Sequence, residues 1–247
     1  MIRIAPSCYR ARMTIRERLD KLDWRAIEDS LWEQGYATTP KLLTASECRD
    51  MMSIYGDDRR FRKRIDMGRL RFGVGEYKYF GAPLPPLVRD LRVHGYRHLA
   101  PIANRWLESL AQTRRFPDTL AGLRASCAAR GQTHPTPLVL HYRAGGYNRL
   151  HQDLYGEVAF PLQMTAFLSR PGVDFEGGAF LLVENEPRAQ SRGEAILGAQ
   201  GSLVIFPTRE RPVRGARRVR KARMRHGVAS VTSGERYALG IIFHDAR

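Results

Sequence analysis

The chain has 247 residues, 43% hydrophobic and 27% charged, a balance that excludes a disordered polymer and allows a substantial core. No apolar run approaches the roughly 18 residues needed to span a bilayer, and Met1 to Arg18 lacks the apolar stretch and cleavage site of a secretory leader. The formal charge of +16 is mostly arginine, whose planar fork suits phosphate better than lysine does. Helical signals come first. Trp24, Ile27, Leu31 and Trp32 recur at helical spacing and stop near Gly35. Tyr36 to Pro40 reads as a short strand, and Thr44 with Glu47 forms a capping box that opens another helix. After Pro83-Leu84-Pro85-Pro86 a helical region runs from about Leu87 to Ala111, with a break or kink expected at Pro101. A further helix is predicted from Asp118 to Ala129, closed by Gly131.

From Thr136 the texture changes to short apolar runs separated by Gly- and Pro-containing turns. Leu138–Tyr142, Leu162–Leu168, Gly178–Val183, Ser202–Phe206, Gly227–Val231 and Tyr237–Phe243 are the predicted strands. Many short strands point to a sandwich or jelly roll. The expectation is one α+β domain over 1–247, with 1–135 mainly helical and packed on a β core at 136–247. Cys8, Cys48 and Cys127 are odd in number and match neither zinc spacing nor a disulfide framework. A reducing cytoplasm, no membrane and no disulfide-linked partner are therefore expected. The first residues form a basic tail, and Met13 is an alternative start.

His151-Gln152-Asp153 is the first motif with chemistry in it. On an extended segment residues i and i+2 share a face, so His151 and Asp153 can grip one ion, or simply satisfy each other. His226 lies 75 residues later. Two histidines and one carboxylate compose the facial triad of non-haem iron oxygenases, which leaves positions open for substrate and O₂. Arg236, ten residues beyond, can fork onto a carboxylate behind such a site or be an ordinary surface arginine after a turn. Asp90, His94 and His98 share a helix face, but eight residues span about 12 Å and cannot converge on one ion. Structural roles are expected for these two histidines and for His134, His141 and His244.

The pattern resembles the 2-oxoglutarate/Fe(II) dioxygenases of the AlkB and prolyl-4-hydroxylase type, down to the HQD triplet and Tyr142 nine residues before His151. Leu140 departs from the Asn that AlkB-type enzymes carry there. Gly75–Phe80 (GEYKYF), His141–Tyr155 (HYRAGGYNRLHQDLY), Phe175–Gly178 (FEGG), Met224–Val228 (MRHGV) and Leu239–Asp245 (LGIIFHD) are similar to a bacterial branch of nucleic-acid oxygenases acting on damaged DNA. The resemblance implies a double-stranded β-helix core and iron held by His151, Asp153 and His226. It also implies that Arg236 and Tyr142 hold the distal carboxylate of 2-oxoglutarate, with O₂ consumed and succinate and CO₂ released. Hydroxylating an N-methyl group would then lead to loss of formaldehyde and oxidative dealkylation of a base.

Tyr147, Asn148, Arg149 and Tyr155 flank the motif and are candidate substrate contacts, or turn and core packing. Tyr77, Tyr79 and Phe80 form an aromatic cluster beside basic residues that could stack an extruded base. Gly177-Gly178 suits a tight turn or a close strand approach. Two Arg-rich stretches, 59–71 and 209–225, are the expected nucleic-acid contacts, the second as a basic loop on the rim. A protein or amino-acid hydroxylase on the same scaffold is the alternative. A basic binding protein on a degenerate scaffold is a third reading, opposed by the complete set of functional residue types.

Overall fold

Local signals place the helices. In the computed structural model, which describes residues 13–186, 188–215 and 218–247, α1 (Ile15–Asp20) opens with a capping box from Thr14 and Glu17. The tail 1–12 with Cys8, and Arg217, lie outside the described residues. Helix α2 (Trp24–Glu33) is capped by Asp23, buries Ile27 and Leu31, and is followed by Gly35 at φ 84°. Strand β1 (Ala37–Thr38) follows, then α3 (Ala45–Ile54) behind the expected Thr44/Glu47 box. Helix α5 (Leu120–Ala128) is capped by Thr119.

Helix α4 (Pro86–Ser109) continues through Pro101, so the chain does not break there. Its buried stripe includes Leu91, Tyr96, Leu99, Ile102 and Trp106. Pro101 lies on the exposed side, where water can serve the carbonyl its ring leaves unpaired.

The N-terminal part is less helical than expected. Strands β2 (Phe61–Asp66), β3 (Gly73–Val74) and β4 (Glu76–Phe80) join the sheets. The run Arg62-Lys63-Arg64 hides β2 from an apolar-pattern reading because β2 is an edge strand, where charge is tolerated.

Two antiparallel sheets make the β core. The remaining strands are β5 (Leu138–Arg143), β6 (Tyr147–His151), β7 (Leu162–Phe167), β8 (Phe175–Gly177), β9 (Phe180–Asn185), β10 (Arg192–Ile196), β11 (Leu203–Pro207), β12 (Glu210–Arg214), β13 (Val219–Val228) and β14 (Val231–Ile241). The larger sheet runs β1-β11-β7-β14-β5-β4-β2, with β8 also on β14; the smaller runs β10-β9-β13-β6-β3, with β12 on β13. Phe167, Val204 and Phe206 of the first pack against Phe180, Leu182 and Met224 of the second. Helices α1–α5 cover the other face of the larger sheet, sharing a core with Val139, Met164, Leu239 and Ile241.

Two expectations change at the C-terminal end. Gly227–Val231 is no strand of its own: β13 ends at Val228 and β14 begins at Val231. The stretch 209–225 is no loop but the arms β12 and β13 of a hairpin. Ala222, Met224 and His226 point in while Arg223 and Arg225 point out, a period-two pattern the arginine density conceals.

Candidate metal centre and cosubstrate pocket

Register brings the ligands together. Strands β13 and β6 pair so that His226 stands opposite His151, with a bulge between His226 and Val228. Asp153 follows two residues past the end of β6. His226 Nε2 lies 3.1 Å from Asp153 Oδ2 and His151 Nε2 lies 3.6 Å from Asp153 Oδ1. One donor atom from each of the three falls within 4.8 Å of the others, a set able to hold a metal ion. The Arg149 carbonyl, 2.8 Å from His151 Nδ1, takes the proton of that nitrogen and leaves Nε2 as the free donor. Phe206 and Phe180 flank the His226 ring at 4.8 and 6.0 Å.

The electrostatics suit a cation. Burial alone would raise the Asp153 carboxyl, but His226, His151 and the Tyr155 hydroxyl hold it well below the usual carboxylate range. Burial, then the neighbouring His226, lowers His151 and favours its neutral, ligating form. Tyr155 donates to Asp153 Oδ1 at 2.8 Å, and Tyr79 donates to Tyr155 at 3.1 Å.

A cavity of about 410 Å³ opens beside these residues. Its floor is the larger sheet, with Leu138, Leu140, Gln163, Thr165, Gly240 and Ile242; Asn148 and Val228 of the smaller sheet face them. Further along the same floor Arg236 on β14 pairs with Tyr142 on β5. Both are buried, the guanidinium carbon lies 5.6 Å from the Tyr142 ring centre, and neither Arg236 Nη1 nor the Tyr142 hydroxyl has a hydrogen-bond partner. Burial depresses the Arg236 pKa and raises that of Tyr142. Two glycines make room for the pair. A Cβ on Gly178, at φ 58°, would stand 2.9 Å from Arg236 Cδ, and one on Gly75, at φ 137°, would stand 2.9 Å from the Tyr142 ring. Gly177-Gly178 thus serves turn and close approach together.

Other sequence candidates fall in several places. Asn148, Tyr77, Arg149 and Tyr155 line the cavity, whereas Tyr147 lies outside it. Tyr155 is turned to Asp153, and Tyr79 and Phe80 are buried in packing, so of the expected stacking cluster only Tyr77 reaches the cavity. Leu140 lines the floor as a plain apolar residue, and the amide side chains in the cavity are Asn148, Gln152 and Gln163. His98 stacks on Trp24 and bonds Asp20, as a structural histidine does. His244 accepts from the Phe160 amide, and burial pushes its pKa down to about 4. Cys48 and Cys127 are buried free thiols.

Sequence reasoning passed over Gln163 and Thr165. Both are polar on a strand buried on both faces, alternate onto the cavity floor, and leave Gln163 Nε2 without a partner. Two polar residues at spacing two in LQMTAF were the available signal.

About half of the described cations in the Arg-rich stretches pair with carboxylates within the molecule. Arg59 and Arg60 pair with Asp57, Arg64 with Glu76 and Arg69 with Asp66. Arg209 and Lys221 pair with Glu210, Arg211 with Glu184 and Arg220 with Glu186.

Among solved structures the fold recurs in a Pseudomonas putida prolyl-4-hydroxylase, at 15% identity and TM-score 0.53, covering 91% of this chain and 99% of that one. It recurs in a Burkholderia pseudomallei oxidoreductase of the 2OG-Fe(II) oxygenase family, at 13% identity and TM-score 0.52, covering 92% and 94%. The carbocyclase SnoK from nogalamycin biosynthesis matches at 17% identity and TM-score 0.55, covering 91% and 84%. The architecture is therefore the jelly roll found in 2-oxoglutarate/Fe(II) oxygenases. Mycobacterium tuberculosis has a protein, named only as uncharacterized protein MT2286, that is 49% identical over 167 residues, 68% of this chain and 72% of its own. Residues 75–246 match the Oxygenase-NA family, described as an oxygenase catalysing oxidative methylation of damaged DNA. The chain belongs to that family and is an oxygenase.

Proposed function

We propose that this oxygenase uses Fe(II), 2-oxoglutarate and O₂ to hydroxylate an alkyl group on a damaged nucleic-acid base, releasing succinate and CO₂. One observation carries the cofactor reading. A His–Asp–His set lines a cavity, and the floor strands β5 and β14 carry, further along, a buried guanidinium that lacks a carboxylate. That donor chemistry fits iron at one end and a dicarboxylate at the other.

His151, Asp153 and His226 would hold the metal. Its chemistry when bound, with the cosubstrate, is O₂ activation, which no protein side chain supplies. Arg236 and the Tyr142 hydroxyl would take the distal carboxylate, each donating a bond it otherwise lacks. A charge-assisted contact of this kind is worth about 1.5–3 kcal/mol in stability or binding. Tyr155 orients Asp153 by donating to one oxygen and leaves the other toward His226. Leu138, Leu140, Ile242 and Val228 keep the cavity dry around the reacting alkyl group. A hydroxylated N-methyl group decomposes to formaldehyde and the restored base. The nucleic-acid substrate is supported by the net charge of +16 and by the family description.

The test has two parts. Anaerobic addition of Fe(II) and 2-oxoglutarate is expected to give a weak visible charge-transfer band that His226→Ala abolishes; its absence from the intact protein rejects the cofactor assignment. With methylated oligonucleotides, formaldehyde and succinate should appear together. Turnover that ignores nucleic acid and rises with a proline-containing peptide would instead establish the hydroxylase alternative.

A further inference from the structure

Resting on the nucleic-acid reading above, we propose that the rim of the cavity is a seat for single-stranded nucleic acid. Arg71 and Arg149 at the mouth hold the phosphates, with Arg225 on the adjoining outer face, and Phe72, Leu150 and Leu154 meet the unstacked bases. The observation is a concentration of exposed apolar side chains at one place. Leu70, Phe72, Val74, Leu150 and Leu154 are five of the eight large hydrophobics exposed among the described residues. Phe72, Leu150 and Leu154, 45, 37 and 42% exposed, also line the cavity that holds the metal ligands.

The cations around them have a second property in common. Arg59, Arg60, Arg64, Arg69, Arg209, Arg211 and Arg220 pair with internal carboxylates, whereas Arg71, Arg149 and Arg225 have no ion-pair partner among the described residues. Arg149 only overlies the Tyr147 ring, and Arg225 reaches only the Asn185 amide. The segments that carry them are neighbours through strand pairing. Arg225 precedes His226, which faces His151 across β13 and β6, and Arg149 lies two residues before His151. The Arg149 amide donates to the Phe72 carbonyl at 2.8 Å, which sets Arg71 and Phe72 on the next segment. Arg71 and Arg149 line the cavity mouth itself, and Arg225 extends the unpaired basic surface on the adjoining outer face of β13. Arg71 itself sits at φ 59°, a left-handed turn conformation that non-glycine residues rarely adopt.

Apolar side chains between cations select the form of the substrate. A duplex presents phosphate and sugar outward, and exposed leucine and phenylalanine gain nothing from them. An unpaired strand offers base faces, which stack on Phe72 whatever the sequence and make apolar contact with the leucines. One base would enter the cavity while its neighbours rest on Phe72 and Leu154.

The experiment is fluorescence anisotropy with a labelled oligonucleotide, alone and annealed to its complement, over a salt series. The intact protein should bind the single strand more tightly. Phe72→Ala should weaken single-strand binding about tenfold and leave duplex binding unchanged. The triple variant Arg71→Gln, Arg149→Gln, Arg225→Gln should flatten the slope of log Kd against log salt by about 0.7 for each arginine removed. Arg59→Gln, at a paired arginine, is the control and should leave the slope as it was. Unfolding midpoints by circular dichroism confirm that each variant is folded. Oligonucleotide binding that is indifferent to Phe72→Ala and to the triple variant overturns the seat alone. No binding of any oligonucleotide by the intact protein overturns the nucleic-acid reading and the seat with it.

Discussion

Arg236 has been taken out of water without a countercharge. Burying an unpaired guanidinium costs folding energy, and such residues survive where a ligand supplies the missing partner. Arg236→Met is therefore expected to leave the cosubstrate-free protein as stable as before or more so. The KM for 2-oxoglutarate should rise by about ten- to a hundredfold. Lower thermal stability with an unchanged KM would assign Arg236 a purely structural role. Gly178→Ala is a gentler probe of the same group, because the added methyl would press on Arg236 Cδ from a positive-φ position. A raised KM with kcat nearly intact is expected, and a normal KM would show that the guanidinium can be displaced at no cost. The HQD triplet and the distal histidine were legible because they are residue types with few other uses at that spacing. Gln163 and Thr165 were not, since polar residues in a strand ordinarily face solvent and only packing shows these two facing inward.

Helix starts were the most readable elements. A capping box involves residues three apart and needs no tertiary partner. Removing the Thr44 side chain with Thr44→Ala should cost about 1 kcal/mol, measured by chemical denaturation; a change below 0.3 kcal/mol, roughly the error of such work, would contradict the cap. Its partner Glu47 also receives the Arg18 guanidinium. Burial raises the Glu47 pKa, but Arg18 and the Thr44 amide outweigh it and the pKa lies below the ordinary value. The folded pKa being depressed, the stabilisation is present above about pH 4.3, the unfolded glutamate value, and is lost as pH falls through the folded one. The stability difference between wild type and Glu47→Gln should accordingly be constant near neutrality and shrink below about pH 4. A difference that grows on acidification would reverse the assignment. Strand β2 escaped notice because its middle, Arg62-Lys63-Arg64, counts as polar in sequence although such stems can cover apolar surface, and β3 is only two residues long.

On the scale of the molecule, Asp245 ties the helical layer to the sheet. It binds Arg92 of α4 at 2.5 Å and Arg124 of α5 at 3.1 Å, and Arg92 also donates to the carbonyls of Ile242 and Phe243. Arg92 and Asp245 are each about 1–2% exposed. Asp245→Ala strands a buried cation and is expected to cost about 3–5 kcal/mol, seen as a large drop in unfolding midpoint; a loss under 1 kcal/mol would mean that the carbonyls alone satisfy Arg92. The net charge is likewise a whole-molecule quantity. Read along the chain, it implicates every arginine in two stretches, while the folded molecule pairs about half of them with carboxylates and sets Arg71 at the cavity mouth.

The sequence alone determined the ligand types, the helix caps, the β texture of the second half and the family. These depend on composition and on neighbours within a turn or two. Tertiary structure decided that His226 faces His151, that Arg236 faces Tyr142 with no carboxylate between them, and which arginines remain free. Each of those is a matter of strand register or of pairing between residues far apart in the chain, and side-chain identity specifies neither until the sheets close.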